Sequence, residues 1–186
     1  MKPRLRYYGE DILRTRGQKI RTVTSALLTL IQDMIRLLGE HDGLGLAAQQ
    51  AGQAQMVAVM AIDSMEDAPE ELLADGERLV LVNPEIAEEA GAVVDEEGCL
   101  SFPGLYIDLK RPERLVVCGQ RLLDDKLVPV EIEARGLFAR ALCHEIDHLN
   151  GVLLIDHLSP FQRVRALALW KRKLSEALEK EGEDSE

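Results

Sequence analysis

Cysteine, aromatic side chains and long apolar runs are all scarce in this sequence. Its 186 residues include only three cysteines, an odd and small number that argues against a disulfide framework and favours a reducing compartment. We find no run of 18 apolar residues, and no apolar segment follows the basic start, so neither a membrane span nor a signal peptide is expected. We therefore expect a cytoplasmic protein with one domain over residues 1–186, since 46% hydrophobic residues are enough to fill one core.

Acidic residues outnumber basic residues, which gives a formal net charge of -11. Such a charge argues against dedicated nucleic-acid binding, because a polyanion would be repelled. The charge is uneven, since residues 157–175 contain five Lys or Arg and no acidic residue. This run predicts a solvated helix face, or alternatively a docking surface for an anionic partner such as the ribosome. The mostly acidic residues 179–186 predict a frayed tail.

Three segments predict helices. Apolar residues recur at helical spacing over 24–38, with Gly39 as a stop signal. Helical spacing returns over 136–150. A last helix is predicted to begin at 159–162, where Ser, Pro and Gln stand at the N-cap, first and third positions of a capping box.

The segment between about residues 55 and 133 carries short β-rich runs. Strands are predicted at 56–62, 79–82, 115–118 and 128–132. The acidic stretch 63–76 predicts an exposed loop with one helical turn around 70–73. A helix, then strands, then helices is an α+β order. We expect mostly antiparallel β-sheets packed around a central helix, with one N-terminal and one C-terminal helix.

The strongest chemical signal is the H-E-x-x-H sequence from His144 to His148, which lies in the predicted central helix. Residues four apart lie about 40° apart on a helix, so both imidazoles can reach one metal ion. Glu145 is rotated by about 100° and can reach water beside the metal instead of the metal itself. Asp147 is expected to make a structural hydrogen bond. The alternative interpretation is two histidines on an ordinary helix.

The same helical wheel separates a cleft face from a core face. One group of residues lies on the face of the two histidines and is predicted to line a cleft: Leu137, Arg140 and Ala141. A second group lies about 120° to 160° away and is predicted to be buried: Phe138, Leu142 and Leu149.

A catalytic metal site needs a third protein ligand and leaves one position open for water. The metzincin spacing would place a histidine at position 154, where this chain has Leu154. A thermolysin-like protease would use a later glutamate, and the last helix offers Glu176 and Glu179. Cys99 stands in a polar segment predicted to be irregular and exposed, and its thiolate can complete a Cys-His-His set.

A loop rich in small residues, G-L-G-L-A-A-Q-Q at 43–50, follows the first helix. Small residues let a backbone approach closely, and a glutamine amide can donate to a developing oxyanion. By itself this loop indicates only tight packing.

Taken together, G-L-G-L-A-A-Q-Q at 43–50, E-G-C-L-S at 97–101 and H-E-I-D-H at 144–148 resemble the three motifs of the peptide deformylase family. The motifs occur in the family's order, and the resemblance extends from about Tyr8 to Leu178. It implies a hydrolase that removes the formyl group from the N-terminal formyl-methionine of newly made polypeptides and releases formate.

The resemblance also implies the metal chemistry. Cys99, His144 and His148 are expected to bind one divalent ion, Fe²⁺ in the first place, with Zn²⁺, Ni²⁺ or Co²⁺ as alternatives. Glu145 is expected to act as general base and then general acid on water that the metal activates.

The remaining implied roles concern the substrate. The Gln50 side chain and the Leu100 backbone N–H are expected to form the oxyanion hole, and Glu97 is expected to pair with Arg111. The substrate-binding residues are expected to be Gly43, Leu44, Gly45, Leu137, Arg140 and Ala141.

Two features depart from the family pattern. Residues 9–14 read G-E-D-I-L-R, without the proline that the family often has in its entry turn. Some members carry apolar residues in place of Asp95 and Arg140, so inward-turned side chains here would change the pocket. Other functions left open are an endoprotease and a binding protein that has lost catalysis. A zinc nucleobase deaminase is disfavoured because its motifs are missing.

Overall fold

The computed structural model describes residues 3–73 and 78–183, with side chains up to residue 172 and at Leu174. These residues form four α-helices and seven β-strands, and the predicted α+β class is confirmed. The helices are α1 (Ser25–Glu40), α2 (Glu70–Leu73), α3 (Gly136–Leu149) and α4 (Pro160–Glu183). The strands are β1 (Gly45–Ala47), β2 (Val57–Ala61), β3 (Arg78–Ala90), β4 (Val93–Gly98), β5 (Tyr106–Arg111), β6 (Arg114–Leu123) and β7 (Lys126–Arg135).

The strands form two separate antiparallel sheets. One has five strands in the order β1-β2-β3-β6-β7, and the other is the β4–β5 hairpin. Strand β3 is irregular where it pairs with β6, with register shifts between Val82 and Glu85 and between Ile86 and Glu88. Such bulges bend a strand and increase its twist. Among the described residues, no helix is long and apolar enough to cross a lipid bilayer.

Some strands were predicted too short, and others were not predicted. Strand β3 extends to Ala90 instead of ending at residue 82, and the β4–β5 hairpin was not predicted at all. Residues 93–96 alternate little in polarity, and all four are exposed. A strand with few buried side chains leaves no period-2 signal.

Helix α1 begins as its sequence suggests but ends later. The Thr24 hydroxyl accepts a hydrogen bond from the Leu27 backbone N–H at 3.2 Å. Gly39 was wrongly predicted as the stop, because the helix continues to Glu40. The turn is made instead by Asp42, which has a positive φ of 50°, and the following N–H of Gly43 bonds to the Leu38 carbonyl.

The segment 63–76, predicted as an exposed loop, contributes several side chains to the core. Residues 74–76 of this segment lie outside the described residues. Its helical turn at Glu70–Leu73 is confirmed, but Met65, Ala68 and Leu72 are buried against α3 and the large sheet. Asp67 accepts a hydrogen bond from the Leu137 backbone N–H at 3.0 Å. This distant carboxylate therefore caps the first turn of the helix that carries the H-E-x-x-H sequence.

Helix α3 packs its predicted core face into the interior. Phe138, Leu142 and Leu149 are fully buried, as the helical wheel predicted. Phe138 and Leu142 pack with residues of β3, β6 and β7 in one apolar cluster. The opposite face of α3 is thereby directed toward the cleft described below.

Helix α4 opens with the predicted capping box and is held by aromatic packing. The Ser159 hydroxyl accepts from the Gln162 N–H at 3.4 Å, and the Gln162 side chain accepts from the Ser159 N–H at 3.1 Å. Trp170 contacts Phe102 edge-on, and Phe102 stacks on Tyr8. Helix α4 continues through residue 183, and residues 184–186 of the predicted frayed tail lie outside the described residues.

Replacing Asp67 by alanine is predicted to destabilise the fold by about 1 kcal/mol, because the first turn of α3 loses an acceptor for a backbone N–H. The exposed neighbour Glu66 provides the matched control, Glu66→Ala. Urea unfolding of both variants measures the difference. Equal midpoints for the two variants would show that the Asp67 contact contributes nothing.

Candidate metal centre and cleft

Helix α3 presents both histidines to the same interior position. His144 and His148 are buried, and their rings lie 4.8 Å apart, centroid to centroid. Burial and the neighbouring His144 hold the pKa of His148 well below its usual range, which keeps its ring neutral. A neutral imidazole is the form that binds a metal ion.

Cys99 approaches the histidines from the end of the β4–β5 hairpin. Its Sγ lies 3.2 Å from Nε2 of His148. One ligand atom from each of Cys99, His144 and His148 can be chosen so that all three lie within 4.8 Å of one another. Around a tetrahedral zinc ion, a sulfur ligand atom and a nitrogen ligand atom lie about 3.5 Å from each other. The three side chains are therefore spaced to share one ion.

Two N–H groups also point at the Cys99 sulfur. The Ser101 backbone N–H donates at 3.4 Å, and the Gln50 side-chain amide donates at 3.7 Å. The prediction that Cys99 lies in an irregular, exposed segment was only partly right, because β4 extends to Gly98 and Cys99 itself is half-buried.

Glu97 forms a buried ion-pair network beneath the histidines. Its Oε1 accepts from Arg111 Nη2 at 2.7 Å and from His144 Nδ1 at 2.7 Å. Its Oε2 accepts from Arg111 Nε at 3.0 Å and from Arg140 Nη1 at 3.2 Å. Burial acts to raise the pKa of Glu97, but the hydrogen bonds from His144 and Arg111 outweigh it and hold that pKa far below its usual range. The ring of His144 is thus oriented with Nε2 toward the site.

The network continues to the protein surface. Arg111 Nη1 donates to Asp147 at 2.7 Å, and the same Asp147 oxygen lies 2.6 Å from Nε2 of His157. Asp147 therefore makes a structural hydrogen bond of the kind expected for it. His157 is the exposed end of this chain of contacts.

Glu145 is a buried carboxylate with one unused oxygen. Within the described part of the chain, its Oε2 is buried and has no hydrogen-bond partner. Burial raises the pKa of Glu145 to about 7. A carboxylate with a pKa near neutral can both accept and return a proton. Gly45 lies directly against it, since a Cβ on Gly45 would be 2.5 Å from Oε1 of Glu145.

The orientation of Gln50 is fixed by the backbone. The Ala47 N–H donates to Oε1 of Gln50 at 2.8 Å, which turns the NH₂ group toward Cys99 and Ser101. The Ser101 hydroxyl lies 3.4 Å from Nε2 of Gln50 and is fully buried. Sequence reasoning assigned no role to Ser101, although it stands within the E-G-C-L-S segment.

A cleft of about 470 Å³ opens above these groups. All six residues predicted to bind substrate line it: Gly43, Leu44, Gly45, Leu137, Arg140 and Ala141. Tyr7 and Tyr106 also line the cleft, and neither was predicted. Tyr106 stands on the neighbouring strand opposite Gly98, and that pairing is invisible without the hairpin register.

The two residues that depart from the family pattern do not both enter the cleft. Asp95 is exposed, and its side chain accepts from the Glu96 N–H. Arg140 is buried and lines the cleft, but its guanidinium is directed at Glu97 and at backbone carbonyls of the hairpin.

Three side chains that could bind one metal ion, next to a buried carboxylate and beside an open cleft, are an arrangement typical of a metal-dependent hydrolase. Comparison with known proteins gives the family. A family model described as polypeptide deformylase matches residues 3–164, so this chain belongs to the polypeptide deformylase family. Enzymes of this family depend on a metal ion and remove N-formyl groups from nascent peptides.

Relatives and solved structures agree over most of the chain. The peptide deformylase of Thermodesulfovibrio yellowstonii is 42% identical over 159 residues, covering 86% of this chain and 90% of the relative. The peptide deformylase of Hydrogenovibrio crunogenus is 38% identical and covers 91% of this chain and 93% of the relative. The crystal structure of a peptide deformylase from Legionella pneumophila superposes with a TM-score of 0.81 at 35% identity, covering 95% of this chain and 98% of that one.

Replacing Gly45 by alanine is predicted to lower kcat by about 100-fold, since the added methyl group would displace the Glu145 carboxylate. The fold should remain, because the added methyl group displaces only side-chain atoms of Glu145 and no backbone atom. Gly39→Ala is the matched control, since a Cβ there meets nothing within 4 Å. Steady-state kinetics and thermal melting test this; unchanged turnover in Gly45→Ala would show that Glu145 tolerates displacement.

Proposed function

We propose that this chain hydrolyses the formyl amide of N-formyl-methionyl peptides at a single divalent ion held by Cys99, His144 and His148. The observation that carries the proposal is the mutual approach of these three ligand atoms within 4.8 Å, beside the buried Glu145. Fe²⁺ is our first candidate, with Zn²⁺, Ni²⁺ and Co²⁺ as alternatives, because a mixed sulfur and nitrogen site accepts several such ions.

The donor set fits a divalent ion. One sulfur that receives two N–H donors and two imidazoles supply three ligands, and a fourth position remains for water or substrate. Nδ1 of His144 is engaged with Glu97, which leaves its Nε2 for the ion. When bound, the ion supplies Lewis-acid chemistry that makes water more acidic and polarises a carbonyl.

Glu145 moves the protons in this proposal. Its unpartnered Oε2 accepts a proton from the attacking water, and the resulting carboxylic acid returns that proton to the leaving amine. The products are formate and a free peptide N-terminus. The pKa of about 7 suits both steps near neutral pH.

Two donors stabilise the negative charge that develops on the formyl oxygen. Gln50 holds its NH₂ group toward Cys99 because the Ala47 N–H fixes the other end of the amide. The Leu100 backbone N–H, next to Cys99, is the second donor. Preorganised donors of this kind contribute about 3 to 4 kcal/mol each in other hydrolases.

The cleft is the proposed site for the methionine side chain. Leu44, Leu100, Leu137 and Ala141 give it apolar walls. A pocket lined mainly by apolar groups, with a few polar groups at one end, binds an apolar side chain and fixes the reacting amide.

An endoprotease is the competing function. A third ligand from a late glutamate is not needed here, because Cys99 already lies beside His148. The metzincin position is occupied by Leu154, which is buried in an apolar cluster with Phe102 and Trp170. These contacts favour the deformylase chemistry over a protease with the same helix sequence.

Replacing Glu145 by glutamine is predicted to leave the metal content unchanged and to lower kcat by about 100-fold or more, because the amide cannot accept the proton. Formate release from a formyl-methionyl peptide and metal analysis of the purified protein measure the two quantities. The exposed Glu133→Gln serves as control. Near-normal turnover in Glu145→Gln would contradict its role as base.

We also propose that α4 docks on an anionic partner, the ribosome being the candidate. Arg165, Lys171 and Arg172 are exposed on it, together with the apolar Phe161 and Val164. Co-sedimentation with ribosomes should fall at least tenfold in a variant with Arg165 and Lys171 changed to glutamate, whereas deformylation of short peptides should not change. Equal co-sedimentation of this variant and the parent would overturn the proposal.

A further inference from the structure

The β4–β5 hairpin carries Glu97 and leads directly into Cys99, yet it is a sheet of only two strands. No backbone ladder among the described strands joins it to the five-stranded sheet. A two-stranded hairpin is marginally stable by itself in water. Four consecutive residues of β4, 93–96, are exposed, so apolar burial holds this strand weakly. Other contacts must therefore fix the position of the thiolate relative to the histidines.

Arg140 reaches both strands of this hairpin from helix α3. Its Nη1 lies 3.2 Å from the Asp95 carbonyl and 3.2 Å from the Leu109 carbonyl. Its Nη2 lies 3.4 Å from the Val93 carbonyl. Only 5% of Arg140 is exposed, so these contacts are made out of water. One guanidinium thereby connects α3 to β4 and to β5.

The same guanidinium also pairs with the carboxylate at the centre of the buried network. Nη1 of Arg140 lies 3.2 Å from Oε2 of Glu97. Arg111 and Arg140 then face two carboxylates, Glu97 and Asp147. Arg111 lies on β5 and pairs with Glu97 of β4 and with Asp147 of α3. Arg140 reaches the hairpin from α3 itself and contacts the backbone of both strands.

We propose that Arg140 is a positioning residue: it fastens the β4–β5 hairpin to α3 and so sets the place of the Cys99 thiolate opposite His144 and His148. The inference rests on the metal site of the proposed function. It gives Arg140 a role different from substrate contact, because its charged end faces the hairpin. The planar guanidinium, with five N–H donors, is required since several carbonyls and a carboxylate are bound at once.

Two replacements separate geometry from charge. Arg140→Lys keeps the charge, but a single ammonium cannot bind the carbonyls of both strands. Arg140→Met keeps an unbranched apolar stem and removes every donor. Arg135→Met, at the exposed N-cap of the same helix, is the matched control.

The first measurement is backbone hydrogen exchange, with and without Co²⁺. Both Arg140 variants should exchange at least tenfold faster than the parent at the ladder amides of 93–111, and amides of β6 and β7 should not change. A uniform increase over the whole chain would show only a loss of global stability and would overturn the proposal. Parent-like hairpin exchange in both variants would overturn it too, as would parent-like exchange in Arg140→Lys alone.

The second measurement is the release of Co²⁺ from the loaded protein to a chelator, followed by the cobalt–thiolate absorption band. Release should be about 10- to 100-fold faster in both Arg140 variants, and the band should weaken or shift. Parent-like release and spectrum in both variants would overturn the inference. If the parent protein itself binds no Co²⁺, the proposed function fails, whereas the exchange data still decide whether Arg140 fastens the hairpin.

Discussion

The candidate site depends on one buried carboxylate, Glu97, which joins the two parts of the chain that supply the proposed metal ligands. It lies on β4 two residues before Cys99, and it accepts a hydrogen bond from His144 of α3. A buried carboxylate is costly unless it is fully paired, and here both oxygens are shared between arginines and the histidine. The same contacts therefore satisfy the charge, orient the His144 ring and hold the hairpin end against the helix.

The chemistry was easier to predict than the elements that position it. The H-E-x-x-H spacing places two imidazoles on one helix face by helical geometry alone, and the wheel correctly separated Phe138 and Leu142 from the cleft face. The contact between Asp67 and Leu137 spans 70 residues of sequence. A hydrogen bond of that kind leaves no local pattern, and the exposed strand β4 leaves no alternation to detect. Such features depend on tertiary packing.

The loop at 43–50 shows how a weak sequence signal acquires meaning from its surroundings. By composition it indicated only close packing. In the fold, Gly45 lies against the Glu145 carboxylate, and the Ala47 N–H fixes the amide of Gln50. One short segment thus lies against the proposed proton carrier and holds the proposed oxyanion donor next to Cys99. These roles explain why small residues and a glutamine stand together there.

In the proposed site, one sulfur and two imidazole nitrogens share a single ion. X-ray absorption of the zinc-loaded protein measures this directly, because sulfur and nitrogen scatter differently and lie at different distances. A shared ion predicts one sulfur at about 2.3 Å and two imidazole nitrogens at about 2.0 to 2.1 Å, with one further light atom. A spectrum without a sulfur neighbour, from protein that releases formate, would contradict the assignment of Cys99.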